Sequence, residues 1–576
     1  MGTTIMRFAA VAIDYDGTLA HNGTVQPETV TALEHLIASG RKFILVTGRI
    51  LHELLSIFPQ ADLCARIVAE NGAVLYRPAA REQRLLAEPV SKPLIEALER
   101  KGVPLQVGDS IVATVRPHEV SVLEAIRDLG LEHHVVFNRE SVMVLPPGVN
   151  KASGLKSALA ELQLSPHNVV GIGDSENDHA LFQASELAIA VGSAVSTLRD
   201  VADWVTRQEN GNGTAEALSA LIADDLADQS ERLTRHHVAL GSFMDGATVV
   251  MSPVGENLLI AGTSGSGKSS LAHGILEQLI ERGYQVCVID PEGDYESIEK
   301  TIVFGNARRG PTVAEILTAL DNAEAHVIVN LVGLPLEDRP AFFLELLPRL
   351  QERQAQSGRP HRILVDETHH LLPSKWRLAS EAMGDMNGML FVTVHPDQVS
   401  PVVLQAIDTA VILGDEPVRT LHSFADRVGL VIPAVPYTVL EPGEAMIWRP
   451  KGSLPPTTFL MAFSRIERRR HRRKYAEGEL PPERSFYFRG PDGKLNLRAQ
   501  NLIVFRQLAE GVDDATWLHH LRKGDYSRWM ETAIKDLSLA RLVHQVEETP
   551  SLSAYDSRQR VANAIEERYT LPATEA

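Results

Sequence analysis

Short apolar runs alternate with segments of helical period along the first 220 residues of the chain. Alternation of this kind favours a doubly wound parallel sheet, whose helices cover both faces. Ligands of such sheets bind beyond the carboxyl ends of the strands. The residues that follow each apolar run are therefore the first candidates for a functional site. Three pairs of predicted strand and helix follow this order: residues 8–13 with 27–39, 43–46 with 50–58, and 169–172 with 178–184.

The same pattern returns after residue 240 and predicts a second doubly wound sheet. Residues 222–240 separate the two regions; they are first acidic, then basic, and lack a strong apolar period, so they are predicted to be a linker. The second domain is placed at 241–460. Its predicted elements are strands at residues 258–261, 286–289, 327–331, 389–394 and 409–413 and a helix at 270–282.

The last part of the chain carries weaker patterns. Residues 461–484 are predicted to be a basic linker, and 485–576 a small, mostly helical C-terminal domain with helices at 495–509 and 514–521. Residues from Thr549 onward are polar and are expected to fray. The fold class is thus α/β: two doubly wound parallel-sheet domains followed by a small, mainly helical domain.

Length and composition agree with this division and narrow the functional classes. A chain of 576 residues is too long for one core. The net charge of −18 argues against a broad nucleic-acid-binding surface. Only Cys64 and Cys287 occur, both beside apolar runs, which disfavours a disulfide scaffold. With no apolar leader and no run of about 18 apolar residues, we expect a cytoplasmic protein that does not bind membranes.

The first apolar run ends in the sequence DYDGTL at residues 14–19. Two acids one residue apart at a strand end can divide a reaction: Asp14 attacks phosphorus, and Asp16 carries a proton to or from the leaving group. Their paired charge also invites Mg²⁺, which prefers oxygen ligands. A solvated strand-to-turn exit explains the same acids, because Asp and Gly favour turns.

Two further strand ends and one lysine carry groups suited to a phosphate. Thr47 follows the second apolar run and offers a hydroxyl group, and Asp174 and Asp178 follow another run and could complete a Mg²⁺ site. Lys151 opens a predicted helix and could neutralise charge on a phosphoryl group. Spacing alone equally allows a solvated surface lysine.

In this order, DYDGTL, LVTGR, the NK of VNKASGL and GDSENDHALF resemble the four motifs of the haloacid-dehalogenase (HAD) phosphatase superfamily. The resemblance extends over residues 5–220 and is strongest to the Cof-like branch, which includes sugar-phosphate and phosphoglycolate phosphatases. It implies a phosphatase domain at 1–221 with a small α/β cap at about 77–148, acting on a small phosphorylated substrate.

The resemblance also implies a role for each site residue. Asp14 would be the nucleophile that forms an aspartyl-phosphate, and Asp16 the general acid and base. Thr47 and Lys151 would hold the phosphoryl oxygens. The implied Mg²⁺ ligands are Asp14, the backbone carbonyl of Asp16, and Asp174, with Asp178 supporting the site.

A second candidate site lies in the second domain. A glycine-rich loop between a predicted strand and a predicted helix forms a nest of backbone N–H groups for a polyphosphate. Lys268 would reach the β and γ phosphates, and Ser269 would ligate Mg²⁺. Asp366 and Glu367 end another apolar run, with Asp366 directed to Mg²⁺ and Glu367 placed to polarise the attacking water. The predicted nucleotide-binding residues are Gly262, Thr263, Ser264, Gly265, Ser266, Gly267, Lys268, Ser269, Ser270 and Asp366.

Four stretches in the second domain resemble the HerA–FtsK superfamily of ATPases: GTSGSGKSS, VIDPEGDY, ILVDETHHLLP and FVTVHPDQVSPVVLQAIDTAVIL. The resemblance covers about 240–450 and implies ATP as ligand and a homo-hexamer as assembly. The chain departs from that family at two points. The family usually has a glutamine before the Arg-Pro that follows the fourth strand, whereas this chain reads Thr393-Val394-His395-Pro396. Residues 381–388 also lack the arginine that DNA pumps of the family supply to a neighbouring subunit.

Three functional hypotheses follow. The leading one is a Mg²⁺-dependent phosphatase that an ATP-binding domain regulates or couples to another process. The alternative is a ring-forming ATPase on nucleic acid with an accessory phosphatase domain. The basic residues within 465–474 favour this alternative unless they form a solvated helix face. The third is a scaffold whose assembly depends on nucleotide.

Overall fold

The computed structural model describes residues 6–138, 140–374, 386–433, 438–452, 454–462, 480, 482–493, 495–534, 536–549 and 551–569. The chain divides into two compact units, Met1–Ala462 and Phe463–Ala576. Two large sheets build the first unit, so the predicted fold class is confirmed. The basic run 465–474 and most of segment 381–388 lie outside the described residues.

The first sheet has eight strands in the order β12-β11-β10-β1-β2-β3-β4-β5, of which the first six are parallel. Its strands are β1 Ala10–Ile13, β2 Lys42–Val46, β3 Arg66–Ala69, β4 Val74–Arg77, β5 Glu82–Leu85, β10 Val169–Gly173, β11 Leu187–Ala190 and β12 Trp204–Val205. Its helices are α1 Pro27–Ala38, α2 Leu51–Ile57, α5 Lys151–Leu162, α6 His179–Gln183, α7 Ser196–Arg199, α8 Asn210–Asp224 and α9 Ala227–Arg232.

A smaller antiparallel sheet, with strand order β6-β7-β9-β8, forms the cap together with two helices. The predicted cap began at about residue 77, but β5 pairs with β4 and extends the main sheet. The separate cap fold therefore starts only at Lys92. Its elements are α3 Lys92–Arg100, β6 Gln106–Val107, β7 Val112–Val115, α4 Glu119–Asp128, β8 His134–Asn138 and β9 Ser141–Leu145.

The second sheet has eleven strands in the order β14-β13-β23-β22-β21-β15-β20-β19-β16-β18-β17. The seven strands from β21 to β17 are parallel, and four antiparallel strands extend one edge. Its strands are β13 Val238–Ser242, β14 Thr248–Met251, β15 Leu258–Gly262, β16 Val286–Asp290, β17 Thr301–Phe304, β18 His326–Asn330, β19 Arg362–Val365, β20 Met389–Thr393, β21 Thr409–Leu413, β22 Glu444–Trp448 and β23 Thr457–Met461. Its described helices are α10 Lys268–Glu281, α11 Val313–Asp321, α12 Arg339–Ser357, α13 Thr368–Leu371, α14 Pro401–Gln405 and α15 Pro417–Val428.

The second unit is mainly helical, as predicted, but two boundaries differ. The predicted helix from residue 495 begins only at Leu502, because Leu497–Ala499 pairs with Phe486–Phe488. The polar end is not frayed throughout, since a helix from Ala554 buries Val561 and Ile565. The described elements are β24 Phe486–Phe488, β25 Leu497–Ala499, α16 Leu502–Gly511, α17 Asp514–Lys523, α18 Asp525–Trp529, a π-helix Met530–Ile534, α19 Leu537–Glu547 and α20 Ala554–Tyr569.

The two sheet domains of the first unit are joined by a buried polar network around Glu186, which is 1 % exposed. Arg7 and His167 of the first domain contact the Glu186 carboxylate, each at 2.7 Å. From the second domain, the Tyr284 hydroxyl donates to it at 2.9 Å, and the ring of Tyr284 stacks on His167. Burial raises the pKa of Glu186, but the His167 hydrogen bond and the Arg7 charge outweigh it and hold that pKa below its usual range.

His167 also bridges the two domains directly. Its Nδ1 lies 2.7 Å from the Glu186 carboxylate, and its Nε2 lies 2.7 Å from the carbonyl oxygen of Arg282. Both partners are acceptors, so both ring nitrogens must carry a proton for both hydrogen bonds to form. His167 thus contacts one acceptor group of each domain.

Gly72 lies where two parts of the first domain come into contact. Its φ is +105°, and a Cβ atom built on it would lie 2.0 Å from the carbonyl oxygen of Asn150. We expect Gly72→Ala to lower the free energy of unfolding by about 2–5 kcal/mol, because backbone strain and overpacking add. Gly130→Ala is the matched control: its φ is +62° with open space around it, so only the strain of about 1–2 kcal/mol applies. Equal losses in denaturant unfolding would contradict the close contact.

Candidate active sites

Three strands of the first sheet end level with one another. Ile13 of β1 pairs with Ile172 of β10 on one side and with Leu45 of β2 on the other. Asp14, Thr47 and Asp174 follow these strands within one or two residues. The parallel register therefore brings the three predicted site residues to one edge of the sheet.

Lys151 is the cation of this site. Helix α5 begins there because the Asn150 side chain accepts a hydrogen bond from the Ser153 backbone N–H at 2.9 Å, forming an N-cap. The Lys151 Nζ donates to Asp14 Oδ1 at 2.6 Å and to Asp178 Oδ1 at 2.5 Å. Only 1 % of the lysine is exposed, so it is not the solvated surface residue that spacing alone allowed.

Burial and the neighbouring charges both shift the pKa values of Asp14 and Lys151. Burial raises the pKa of Asp14, the Asp178 charge adds to that rise, and the Lys151 charge opposes both. Burial lowers the pKa of Lys151, but the Asp14 and Asp178 carboxylates outweigh it and raise that pKa above its usual value. Lys151 is therefore a fixed positive charge beside Asp14.

Asp178 organises the site through both carboxylate oxygens. Its Oδ1 accepts from Lys151, and its Oδ2 accepts the backbone N–H groups of Asp174 and Ser175, both at 3.0 Å. Gly173 leaves room for it, since a Cβ there would lie 2.7 Å from the Asp178 side chain. The motif that ends β10 is thus folded around Asp178.

Asp14, Asp174 and Asp178 form a candidate magnesium site. Each is buried and offers a carboxylate oxygen, and the three oxygens lie within 4.8 Å of one another. Such an all-oxygen set suits Mg²⁺. Asp178 also accepts hydrogen bonds from Lys151 and from two backbone N–H groups. The Thr18 hydroxyl steadies Asp174 with a hydrogen bond of 3.2 Å.

Asp16 lies at the mouth of the site and is held by a residue that the sequence analysis did not assign. The Arg49 guanidinium donates two hydrogen bonds of 2.7 Å to the two oxygens of Asp16. The backbone N–H of Arg49 also donates to the buried Thr47 hydroxyl at 3.1 Å. The signal for Arg49 was its position in LVTGR, two residues after Thr47.

We expect Arg49→Ala to lower kcat for phosphomonoester hydrolysis by about 10–100-fold, because Asp16 would lose its two-point support and its orientation. Stability should change by less than about 1 kcal/mol, since the ion pair is partly exposed. Steady-state kinetics on Arg49→Ala and on the exposed control Arg199→Ala test this. An unchanged kcat would show that Arg49 does not position Asp16.

Glu70 and Asn71 connect the site to the cap and were also missed. The Glu70 carboxylate accepts the backbone N–H groups of Asp109, Ser110 and Ile111 in the β6–β7 loop of the cap, at 2.9–3.2 Å. Asn71 accepts from Asn177 at 3.0 Å. Both Glu70 and Asn71 have positive φ, which no sequence pattern revealed.

A cavity of about 680 Å³ lies over Asp14 and Asp16. One wall comes from the main domain, including Gly48, Arg49 and Glu53. The cap supplies the other wall from four strands: Gln106, Ala113, Asn138, Ser141 and Met143. A small molecule in this cavity would touch both parts.

The glycine-rich loop of the second domain connects β15 to α10. Gly265 and Gly267 adopt φ values of +75° and +99°, which turn the loop at two points. The Lys268 Nζ donates to the Thr263 carbonyl oxygen at 2.8 Å. Within the described residues, the buried Ser266 hydroxyl has no hydrogen-bond partner. This loop with its lysine at the start of a helix fits a polyphosphate.

The predicted carboxylates stand at the end of β19, separated from β15 by β20 alone. Asp366 is 4 % exposed, and burial raises its pKa to about 7. Burial likewise raises the pKa of Glu367, with the Glu292 charge contributing. Burial lowers the pKa of Lys268, against the pull of the Glu367 and Asp366 charges. The structure thus places the lysine and both acids in one site.

Neighbouring strands add groups that were not assigned. Asp290 ends β16, and its carboxylate accepts the backbone N–H groups of Glu292, Gly293, Asp294 and Tyr295. His369 lies 3.2 Å from Glu367, and its ring contacts that of His395 edge to face. His395 therefore packs beside the acids, where its charge acts on Glu367.

The two sites define the class of protein: a hydrolase whose first domain has a buried carboxylate–lysine site and whose second domain has a glycine-rich loop between a strand and a helix. Two family models match the chain. The haloacid dehalogenase-like hydrolase model matches residues 11–113 and 120–218, and the "Helicase HerA, central domain" model matches residues 240–375.

Known relatives cover the first domain. A phosphoglycolate phosphatase of Methanothermobacter thermautotrophicus is 32 % identical over 219 residues, which are 36 % of this chain and 96 % of the relative. Phosphoglycolate phosphatase 2 of Saccharolobus solfataricus is 29 % identical over 38 % of this chain and 94 % of the relative. A haloacid dehalogenase-like hydrolase from Bacteroides thetaiotaomicron has a crystal structure that matches 37 % of this chain and 99 % of its own, at 16 % identity and a TM-score of 0.34.

The chain belongs to the haloacid dehalogenase-like hydrolases, and it carries a HerA–FtsK-type ATPase domain behind the phosphatase domain. No helix among the described residues is both long and apolar enough to cross a membrane.

Proposed function

We propose that the first domain is a Mg²⁺-dependent phosphatase for small phosphomonoesters and that the second domain binds and hydrolyses ATP. The observation that carries the first part is the buried contact of Lys151 with Asp14, beneath a cavity and beside two further carboxylates. A nucleophile, a fixed cation and a metal-ligand set converge there on the space that a phosphoryl group would fill.

The residues divide the reaction between them. Asp14 attacks phosphorus and forms an aspartyl-phosphate, while Asp16 donates a proton to the leaving oxygen. Water then attacks the aspartyl-phosphate, and Asp16 accepts its proton. Lys151 and Thr47 hold phosphoryl oxygens and stabilise their charge. Asp14, Asp174 and the backbone carbonyl of Asp16 would hold Mg²⁺, which would supply further neutralisation of the phosphoryl charge.

The substrate class follows from the cavity and from the relatives. The cavity of about 680 Å³ suits a small molecule, and its lining is largely polar. Two relatives are phosphoglycolate phosphatases by name. We therefore place phosphoglycolate and sugar phosphates first among the substrates.

In the second domain, Lys268 would bind the β and γ phosphates, Ser269 and Asp366 would hold Mg²⁺, and Glu367 would polarise the attacking water. The buried Glu186 network ties this domain to the phosphatase. This connection supports the proposal that ATP binding regulates phosphate release.

The test is phosphate release from a panel of phosphomonoesters, with and without ATP, in the presence of Mg²⁺. The panel contains phosphoglycolate, sugar phosphates, nucleotides and DNA-end phosphates. Hydrolysis of one ester in wild type, its loss in Asp14→Asn, and a response to ATP that is lost in Lys268→Ala would support the proposal. Release that is unchanged in Asp14→Asn would refute it.

A second candidate function rests on the HerA central-domain match at residues 240–375. In that case the primary activity would be that of the second domain, as a ring-forming ATPase that acts on nucleic acid. The phosphatase domain would be accessory to it. ATP hydrolysis that DNA or RNA stimulates and Lys268→Ala abolishes would favour this function. The absence of nucleic-acid binding at low salt would contradict it.

A further inference from the structure

A second cavity, of about 590 Å³, lies between the two sheet domains and away from both catalytic centres. Residues of α5 and the turn after it form one wall, including Lys156, Leu159 and Ala160. The second domain forms the other wall, with Ile280 at the end of α10 and Lys300 and His326 beyond it.

Buried contacts beside the cavity fix the two walls relative to each other. The Arg359 guanidinium of the second domain donates to the Gln163 carbonyl oxygen at 2.8 Å, and Gln163 itself lines the cavity. The His167 ring meets the Arg282 carbonyl oxygen at 2.7 Å, next to the lining residues Pro166 and Gly283. The cavity is therefore a built feature of the joined domains.

The lining of the cavity combines positive charge, apolar surface and a polar atom that has no hydrogen-bond partner among the described residues. Lys156 and Lys300 come from opposite walls, and neither forms an ion pair with a described residue. Glu324 is the one acid among the described lining residues, so the lining keeps a net positive charge. Leu159, Ile280 and other aliphatic side chains supply the apolar part.

His326 supplies the unused polar group. It is 6 % exposed, and its Nδ1 has no hydrogen-bond partner among the described residues. Burial, with the Lys300 charge, lowers the pKa of His326 to about 4, so the ring is neutral near pH 7. A buried polar atom without a partner has lost its hydrogen bonds to water, and a ligand that bonds to it would compensate for that loss.

We propose that this interdomain cavity binds a small amphipathic organic anion, whose charged group lies between Lys156 and Lys300 and whose apolar part packs on the aliphatic wall. The two helices that reach it start at the two functional lysines: α5 at Lys151 and α10 at Lys268. An occupant would therefore touch the helix behind each active site, which makes the cavity an effector site.

The test uses 8-anilinonaphthalene-1-sulfonate, an aromatic anion whose fluorescence rises in apolar surroundings. The full chain carries Lys268→Ala, which weakens binding of the anionic probe at the glycine-rich loop, while the carboxylates around Asp14 disfavour an anion at the first site. We expect one saturable probe site per chain. The affinity for the probe should fall at least tenfold in the double variant Lys156→Glu and Lys300→Glu. It should also fall at least tenfold in Ala160→Trp, because the indole at this exposed position would fill the cavity. The control pair Lys42→Glu and Lys92→Glu makes the same change in net charge and should leave the affinity unchanged.

Two further readouts keep the outcome decisive. Bound probe should protect Lys156 and Lys300 from acetylation, as measured by mass spectrometry, even if a variant folds poorly. The uncharged analogue N-phenyl-1-naphthylamine should bind at least tenfold more weakly. Equal affinity in the Lys156→Glu and Lys300→Glu variant and its control, unprotected lysines, or equal binding of the uncharged analogue would each overturn the proposal.

Discussion

Replacing Lys151 with Met is expected to abolish most phosphatase activity and to destabilise the first domain at the same time. The lysine holds Asp14 and Asp178 together at 2.6 and 2.5 Å in a buried site, so its removal leaves two like charges without compensation. Loss of one partner from a buried ion pair costs about 3–5 kcal/mol. Loss of a charge that stabilises the phosphoryl transition state lowers kcat by roughly 10²–10³-fold.

The two effects separate when Mg²⁺ is varied. Saturating Mg²⁺ should restore part of the lost stability in Lys151→Met, because the ion would neutralise the same carboxylates, whereas kcat should stay low. Thermal unfolding and steady-state kinetics of Lys151→Met measure both quantities. Lys42→Met, at an exposed lysine that begins β2, is the control. A wild-type kcat in Lys151→Met would show that Lys151 takes no part in the reaction.

Replacing Glu367 with Gln is expected to stop ATP hydrolysis while ATP binding persists. Glutamine keeps the size of the side chain but cannot take a proton from the attacking water, so kcat should fall by about 10²–10⁴-fold. Lys268 and the loop remain intact, so the Kd for ATP should change by only a few-fold. Phosphomonoester hydrolysis at Asp14 should continue.

Equilibrium binding of ATP and release of phosphate from ATP distinguish these outcomes. Lys268→Ala provides the contrast, since it should lose binding as well as turnover. Glu337→Gln, at an exposed acid of the same domain, should behave as wild type. Unchanged ATP turnover in Glu367→Gln would assign the role of base to another group, with Asp290, His369 and His395 as the neighbouring candidates.

The parts of the fold that a local pattern encodes were predictable from the sequence. The strand ends at Asp14, Thr47 and Asp174 could be found because a buried strand is a short apolar run in the sequence. Neighbouring parallel strands end at the same edge of the sheet, so these residues could also be expected to lie together. The nucleotide loop was predictable for the same reason, since strand, glycine loop and lysine are consecutive. The structure places these residues together, and their catalytic roles stay predictions.

Contacts between distant segments could not be predicted in the same way. The hydrogen bonds of Glu70 depend on backbone N–H groups some forty residues later, and no side-chain pattern marks an N–H group. The strand β5 has four exposed residues and lacks the apolar run that identifies a strand, so it was assigned to the cap. The Glu186 network joins residues from three separated segments, and only their meeting in space gives the glutamate partners.

The Glu186 network also affects whether the first domain is independent of the second. Relatives of the first domain are about as long as that domain. This similarity in length predicts that a chain truncated after residue 221 is a self-sufficient phosphatase. A cut there would remove Tyr284 from Glu186 and would expose the ring face of His167. The separated first domain would expose these polar groups beside β11 to water, so its loss of stability relative to the full chain would measure how far it depends on the second domain.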